Sequence, residues 1–166
     1  LQHMAKLVEE VLAFTKAETI PDRETPEDID LRELLQNVLA REAPENSIQL
    51  DIGGIKLHSL RNALDRAIGN VLRNAVRYAC DIEITAKAEN GRVMIQILDR
   101  GPGVPEEAVS RLFEPFFRPE AARGRNTGGS GLGLAITKRC IEACQGTVTA
   151  RNREGGGLVV EISLPF

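Results

Sequence analysis

A two-layer α+β sandwich is the fold class this sequence predicts: a mixed, mostly antiparallel sheet with helices on one face, preceded by a further helix. Three observations predict it. Apolar residues recur at helical spacing over Leu1–Ala17, Leu31–Ala40 and Leu60–Ala79. Two pairs of alternating runs carry hairpin signals, Asp81–Lys87 with Arg92–Asp99 and Thr147–Asn152 with Leu158–Leu164. Helices and antiparallel strands follow one another in an order that suits one sheet under one helical layer. The 166 residues, 42% hydrophobic and 27% charged, suffice for a single core that buries about 70% of its unfolded surface, which excludes intrinsic disorder.

The first helix places Leu1, Met4, Val8 and Val11 on one stripe, widened by Leu7, Leu12 and Phe14. The same spacing fits about two heptads, enough for a fragment of a helix bundle. Residues 19–30 hold acidic, proline and threonine clusters and few large apolar groups, and read as a linker. Helical spacing resumes at Leu31, with Asp30 as N-cap and Glu33 three residues on, as in a capping box. A strand at Ile48–Ile52, a Gly53-Gly54 turn and a short strand at Ile55–Leu57 come next. The long helix from Leu60 to Ala79 turns Leu64, Ala67, Ile68, Val71, Leu72 and Ala75 toward the core. Asn90-Gly91 joins the following two strands as a tight hairpin. Pro105 at an N1 position opens a short helix to Leu112, residues 113–130 lack periodicity, and a helix from Gly131 to Cys144 ends at Gly146 as its C′ glycine.

The net charge of −3, from 21 basic and 24 acidic residues in mixed order, excludes a nucleic-acid binder working through a basic face. No apolar run approaches the roughly 18 residues of a membrane span, and the start lacks the pattern of a signal peptide, so the expectation is a soluble piece without membrane contact. Cys80, Cys140 and Cys144 form no metal motif and read as free thiols of a reducing compartment. Seven of the 15 glycines fall within Gly101–Gly103 and Gly124–Gly133, a clustering that needs a cause.

Three segments carry chemistry. On the long helix, Asn70, Asn74, Arg77 and Tyr78 share one edge beside the apolar stripe. Two carboxamides can offer oxygens to Mg²⁺, a guanidinium can meet phosphate, and a tyrosine ring can pack on a purine; a polar helix edge is the bland alternative. Asp99-Arg100-Gly101-Pro102-Gly103-Val104 leaves a strand end, where a carboxylate can accept from an exocyclic amine and glycine lets backbone approach a flat ring; it can equally be a plain strand-exit turn. Thr127–Leu134 runs from a glycine loop into a helix, an anion site of backbone N–H groups that fits neither a Walker A loop nor a dinucleotide fingerprint. Arg118, Arg123 and Arg125 add positive charge upstream on what reads as a lid, with a solvated surface run as the alternative.

In this order the segments resemble the ATP-binding domain of bacterial sensor histidine kinases, in the superfamily shared with gyrase, Hsp90 and MutL. The resemblance covers Leu31–Phe166. It comprises an N box (Asn70 to Tyr78), a G1 box (Asp99 to Gly103), an F box (Phe113-Glu114-Pro115-Phe116-Phe117-Arg118) and a G2 box (Gly129 to Gly133). Arg77-Tyr78 and the Arg118–Arg123 stretch are most similar to the envelope-stress sensor kinases of Gram-negative bacteria. The resemblance implies the Bergerat ATP-binding fold, with ATP and Mg²⁺ as ligands. It implies that Asn70 and Asn74 hold the metal, Arg77 contacts phosphate, Tyr78 packs on adenine and Asp99 binds the adenine amino group. Gly101 and Gly103 shape that pocket; Gly129, Ser130, Gly131, Leu132 and Gly133 face the phosphates; Val104, Phe116 and Arg118 complete the nucleotide set, and Asn74 and Arg77 are the catalytic pair. Arg77 stands where the family commonly has lysine.

ATP-hydrolysing relatives carry a glutamate base one helical turn before the second asparagine of the N box. Asn70 occupies that place and an amide takes up no proton at neutral pH, so phosphotransfer is expected in preference to hydrolysis. The family's acceptor histidine lies in a motif that neither His3 nor His58 matches. Residues 1–18 instead resemble the end of the second helix of a dimerisation hairpin, with 19–30 as linker and 31–166 as the catalytic domain. The resemblance thus implies a fragment of a homodimeric inner-membrane kinase. Its cytoplasmic catalytic domain would act on the phosphoacceptor hairpin of the same protein and signal to a response regulator. The alternative is a nucleotide-dependent regulatory module of the anti-sigma or degenerate-kinase type.

Overall fold

The computed structural model describes residues 2–19, 24–118 and 132–166. Helix α1 (Gln2–Thr19) leads into β1 (Glu27–Asp30), α2 (Leu31–Glu42), β2 (Gln49–Ile52), β3 (Lys56–Ser59) and α3 (Arg61–Tyr78). Then follow β4 (Glu83–Glu89), β5 (Arg92–Leu98), α4 (Glu106–Val109), α5 (Gly133–Ala143), β6 (Thr147–Asn152) and β7 (Leu158–Pro165). Five strands form one sheet in the order β2-β4-β5-β7-β6, antiparallel except for β2 beside β4. A parallel pair requires a crossover, and α3 supplies it.

Period-2 alternation decides the faces. Ile84, Ile97 and Val160 line up across β4, β5 and β7 on the inner face, while Thr85, Gln96 and Glu161 line up on the outer one. The inner face meets Leu34, Leu35 and Val38 of α2, Leu64, Ile68 and Leu72 of α3 and Ile136 and Ile141 of α5 in one core. The outer face is polar, with Gln96 donating to Glu161 at 2.6 Å and Arg92 to the Ser163 hydroxyl at 2.6 Å. Helices on one face of a mixed sheet are what the pattern predicts. Asn90 and Gly91 both take positive φ, 54° and 74°, between the paired ends Glu89 and Arg92, the tight hairpin expected of an Asn-Gly pair.

Two local expectations change. The segment read as linker contains β1, which pairs antiparallel with β3 and buries Ile29. Strands β2 and β3, on either side of Gly53-Gly54, belong to different sheets. At the end of α5, the left-handed residue is Gln145 (φ 63°) and not Gly146. Gly146 N donates to Ile141 O at 2.9 Å and Gln145 N to Glu142 O at 3.0 Å, the two bonds of a Schellman motif. Gly146 is needed for another reason: a Cβ there would lie 2.5 Å from Ser163 O.

The acidic stretch before β1 also caps α3. Leu60, at the N-cap, offers no side-chain acceptor, and the Glu24 carboxylate takes the bonds from Asn62 N (2.6 Å) and Ala63 N (3.1 Å). Arg61 donates to Glu27 at 2.5 Å and fastens the same segment. Glu24→Ala should therefore lower stability by about 1–2 kcal/mol, the range for losing a helix cap that also faces the helix dipole. Urea denaturation reads this directly, with an unchanged midpoint contradicting the cap.

Helix α1 packs against α5 and exposes Met4, Leu7, Val8, Val11 and Leu12. No helix among the described residues is long and apolar enough to cross a membrane. Cys140 and Cys144 are buried free thiols and Cys80 is exposed; burial pushes the Cys140 thiol up to about 11, which keeps it protonated and unreactive.

Candidate functional site

The site is built where the second half of α3 meets the exit of β5. Asn70, Asn74, Arg77 and Tyr78 are all half-buried, as expected for an edge between a core stripe and a cleft. Asn70 is tied into a charge cluster: its Oδ1 accepts from Arg73 Nη1 at 3.2 Å, and Arg73 grips Glu42 at the end of α2 with Nε (2.9 Å) and Nη2 (2.8 Å). Arg41 donates to Glu42 at 3.1 Å and to Asp65 at 2.8 Å. Arg73, then Arg41, hold the Glu42 carboxyl below the usual carboxylate range against the opposing effect of its burial. The cluster braces α2 against α3 on the turn that carries Asn70.

Asp99 is 9% exposed, and the bends after β5 set its bonding. Its Oδ1 accepts from Gly101 N (2.9 Å) and Leu158 N (3.1 Å). Among the described residues no hydrogen bond falls on Oδ2. A carboxylate with one oxygen saturated by backbone and the other unengaged is a fixed acceptor.

Gly101 lets this loop close on α3. An added Cβ would lie 2.7 Å from Ala79 Cβ and 3.1 Å from Tyr78 O, and Arg100 N donates to Cys80 O at 3.0 Å. The Asp99 loop and the Asn70–Tyr78 edge thereby come together, although they are distant in sequence. Gly103 has φ +68°, which suits glycine, and Val104 packs against the core.

Beyond α4, Phe113 and Phe117 pack on the core while Phe116 is 56% exposed at φ 65°. Arg111 lies 4.4 Å over the Phe117 ring and pairs with Glu114 at 3.0 Å. Arg118 is half-buried. At the start of α5, Leu132 is buried, and a Cβ on Gly133 would meet nothing within 4 Å among the described residues. Gly129, Ser130 and Gly131, with Arg123 and Arg125 upstream, lie outside the described residues. A separate groove between α4, α5 and β6, lined by Val109, Phe113, Ala135 and Val148, contains none of the predicted site residues.

Sequence reasoning missed the β6–β7 turn, where Arg153, Gly157 and Leu158 touch Asp99. Arg153 Nη1 donates to Asp99 O at 3.3 Å, and Arg153 pairs with Glu83. Gly155, Gly156 and Gly157 all have positive φ, 84°, 111° and 106°. Three successive glycines were the available signal.

Residues 59–166 match the family described as histidine kinase-, DNA gyrase B-, and HSP90-like ATPase. Sensor protein kinase WalK of Staphylococcus epidermidis is 30% identical over 181 residues, covering 99% of this chain and 28% of WalK. Sensor histidine kinase CpxA of Escherichia coli is 40% identical over 111 residues, covering 66% of this chain and 24% of CpxA. The chain thus corresponds to a minor part of either relative's length. The solved histidine kinase domain of the E. coli osmosensor EnvZ matches with a TM-score of 0.65 at 34% identity, over 86% of this chain and 91% of that one.

Proposed function

Since this chain belongs to the family of histidine kinase-, DNA gyrase B-, and HSP90-like ATPases, we propose that it is the ATP-binding catalytic domain of a two-component sensor histidine kinase. In this reading residues 31–166 bind Mg-ATP and present its γ-phosphoryl group to a histidine on a separate helical hairpin. Residues 1–18 are the end of that hairpin's second helix, 19–30 the connection. The observation that carries the reading is Asp99: nearly buried, held through Oδ1 by two backbone N–H groups, with Oδ2 left for the exocyclic amine of adenine.

The residues fit the ligands. Among the described residues there is no group of three or more His, Cys, Asp or Glu that could hold a metal, so a cation here depends on neutral oxygens and on the nucleotide. Mg²⁺ keeps several waters and takes few protein ligands beside substrate phosphates. Asn70 and Asn74 would supply the amide oxygens, with Arg77 on phosphate and Tyr78 against the purine. Gly101 and Gly103 line the adenine side; Leu132, Gly133 and the glycines before them offer backbone N–H groups to the phosphates. Bound Mg²⁺ supplies charge neutralisation at the transferring phosphoryl group.

The chain's own contribution is positioning. Arg77 spreads phosphate charge, and Phe113 and Phe117, packed on the core, anchor the stretch that carries Phe116 and Arg118. Asn70, held by Arg73, offers no base to activate water, which favours transfer to an incoming nucleophile over hydrolysis. The partners of this reading are the phosphoacceptor hairpin of the same homodimeric, membrane-anchored kinase and a response regulator.

Asn74→Ala tests the metal assignment. It should weaken binding of a non-hydrolysable ATP analogue by about tenfold or more in Mg²⁺, the scale of disturbing a metal's ligand set, and leave metal-free binding nearly unchanged. Equal losses with and without Mg²⁺, measured by calorimetry, contradict a metal role.

A further inference from the structure

The turn between β6 and β7 does more than join two strands. Asn152, the last residue of β6, makes with its side chain the two bonds that a neighbouring strand would make: Oδ1 accepts from Val104 N at 2.9 Å and Nδ2 donates to Val104 O at 2.7 Å. The same Nδ2 donates to Glu106 Oε1 at 2.8 Å. Both backbone polar groups of Val104, in a stretch without regular structure, are thereby satisfied by one carboxamide. The fit is tight, since a Cβ on Gly103 would lie 2.7 Å from Asn152 Oδ1.

The far end of this loop is held by the same turn. Leu158 N reaches Asp99 Oδ1 at 3.1 Å and Arg153 reaches Asp99 O at 3.3 Å. Arg100 reaches back, donating through Nη1 to the carbonyls of Glu154 (2.8 Å) and Gly156 (3.0 Å). Residues 99–104 are therefore gripped at both ends by one hairpin turn, with the glycines between.

We propose that Asn152 is a positioning residue for adenine selection: its carboxamide clasp on Val104 fixes the path of the 99–104 loop, and with it the direction in which Asp99 Oδ2 meets an exocyclic amine. This rests on the assignment of Asp99 to adenine given above. The chemistry of the clasp requires a group that both accepts and donates. Asn152→Asp keeps the shape and the acceptor for Val104 N, removes the donor to Val104 O, and sets a second carboxylate against Glu106. Asn152→Ala removes all three bonds without adding charge.

The test compares ADP with inosine diphosphate, which lacks the exocyclic amine, by calorimetry on the wild-type chain and both variants. Thermal denaturation identifies any variant that does not fold. The wild type is expected to prefer ADP by about tenfold or more, the scale of a hydrogen bond to a charged group. Each folded variant should lose most of that preference through a weaker affinity for ADP, while its affinity for inosine diphosphate changes little. A purely structural role lowers both affinities together and leaves their ratio as it was, so an unchanged ratio overturns the proposal. A wild type without preference for ADP overturns the assignment of Asp99 itself, and the clasp's role with it. Should Asn152→Asp fail to fold, the alanine variant alone gives the ratio.

Discussion

An Asp99→Asn chain should keep its fold and lose ADP affinity by about 100-fold, the worth of a charge-assisted hydrogen bond replaced by two opposed donors. The fold should persist because the bonds that hold this side chain fall on one oxygen. Gly101 N and Leu158 N both donate to Oδ1, and an asparagine keeps an acceptor there. The change falls on the other atom, where an N–H₂ group now faces the exocyclic amine. Calorimetry with ADP and a denaturation curve separate the two outcomes. Undiminished ADP affinity contradicts the adenine role of Asp99, and a loss of stability comparable to the loss of binding contradicts the division of labour between its two oxygens.

The largest effect on the fold is expected at Gly157. Its φ of +106° excludes most side chains, and an added Cβ would lie 2.0 Å from Asp99 O and 2.7 Å from its carbonyl carbon. Neither atom can yield, because Asp99 N is bonded to Leu158 O at 3.0 Å in the same place. Gly157→Ala should cost more than about 3 kcal/mol, combining backbone strain with overpacking, and should displace Asp99. Gly156→Ala is the control: φ is +111° but nothing among the described residues lies within 4 Å of the added carbon, so only strain, about 1–3 kcal/mol, applies. Urea denaturation of the two variants reads the difference. Equal costs would mean that the approach of the turn to Asp99 is unimportant.

What could be read from the residues divides along local and non-local lines. Helix α3 was legible because its stripe recurs from Leu64 to Ala75, about three turns, and α2 because Asp30 both precedes it and caps it, accepting from Glu33 N at 3.3 Å. The Asn90-Gly91 hairpin was legible because two left-handed residues in a row admit few sequences. Strand β1 was not, since a single buried Ile29 between acidic residues shows no alternation and its pairing with β3 is made from the far side of α2. The Glu24 cap lies 38 residues from the helix end it satisfies. At Gln145 the usual glycine signal pointed one residue too far, because a left-handed cap can be taken by a polar residue when the next position must be glycine for packing.

The site divides in the same way. Asp99, Gly101 and the Asn70–Tyr78 edge each stand out as short patterns, and their adjacency follows once Gly101 is seen pressed against Ala79. The grip of Asn152, Arg153 and Gly157 on the Asp99 loop joins segments about fifty residues apart, and only the three successive glycines of the turn hint at it.

Placement of ATP for transfer to a histidine on another element can be followed in a single assay. The chain is mixed with Mg²⁺, ATP labelled in the γ-phosphoryl group and a separate histidine-bearing helical hairpin, and the label on the hairpin is followed. Label should appear on the hairpin as an acid-labile, base-stable phosphohistidine, absent when the hairpin histidine is replaced and strongly reduced by Asp99→Asn. Tight ATP binding with no label transferred would contradict it and would favour a nucleotide-dependent regulatory module.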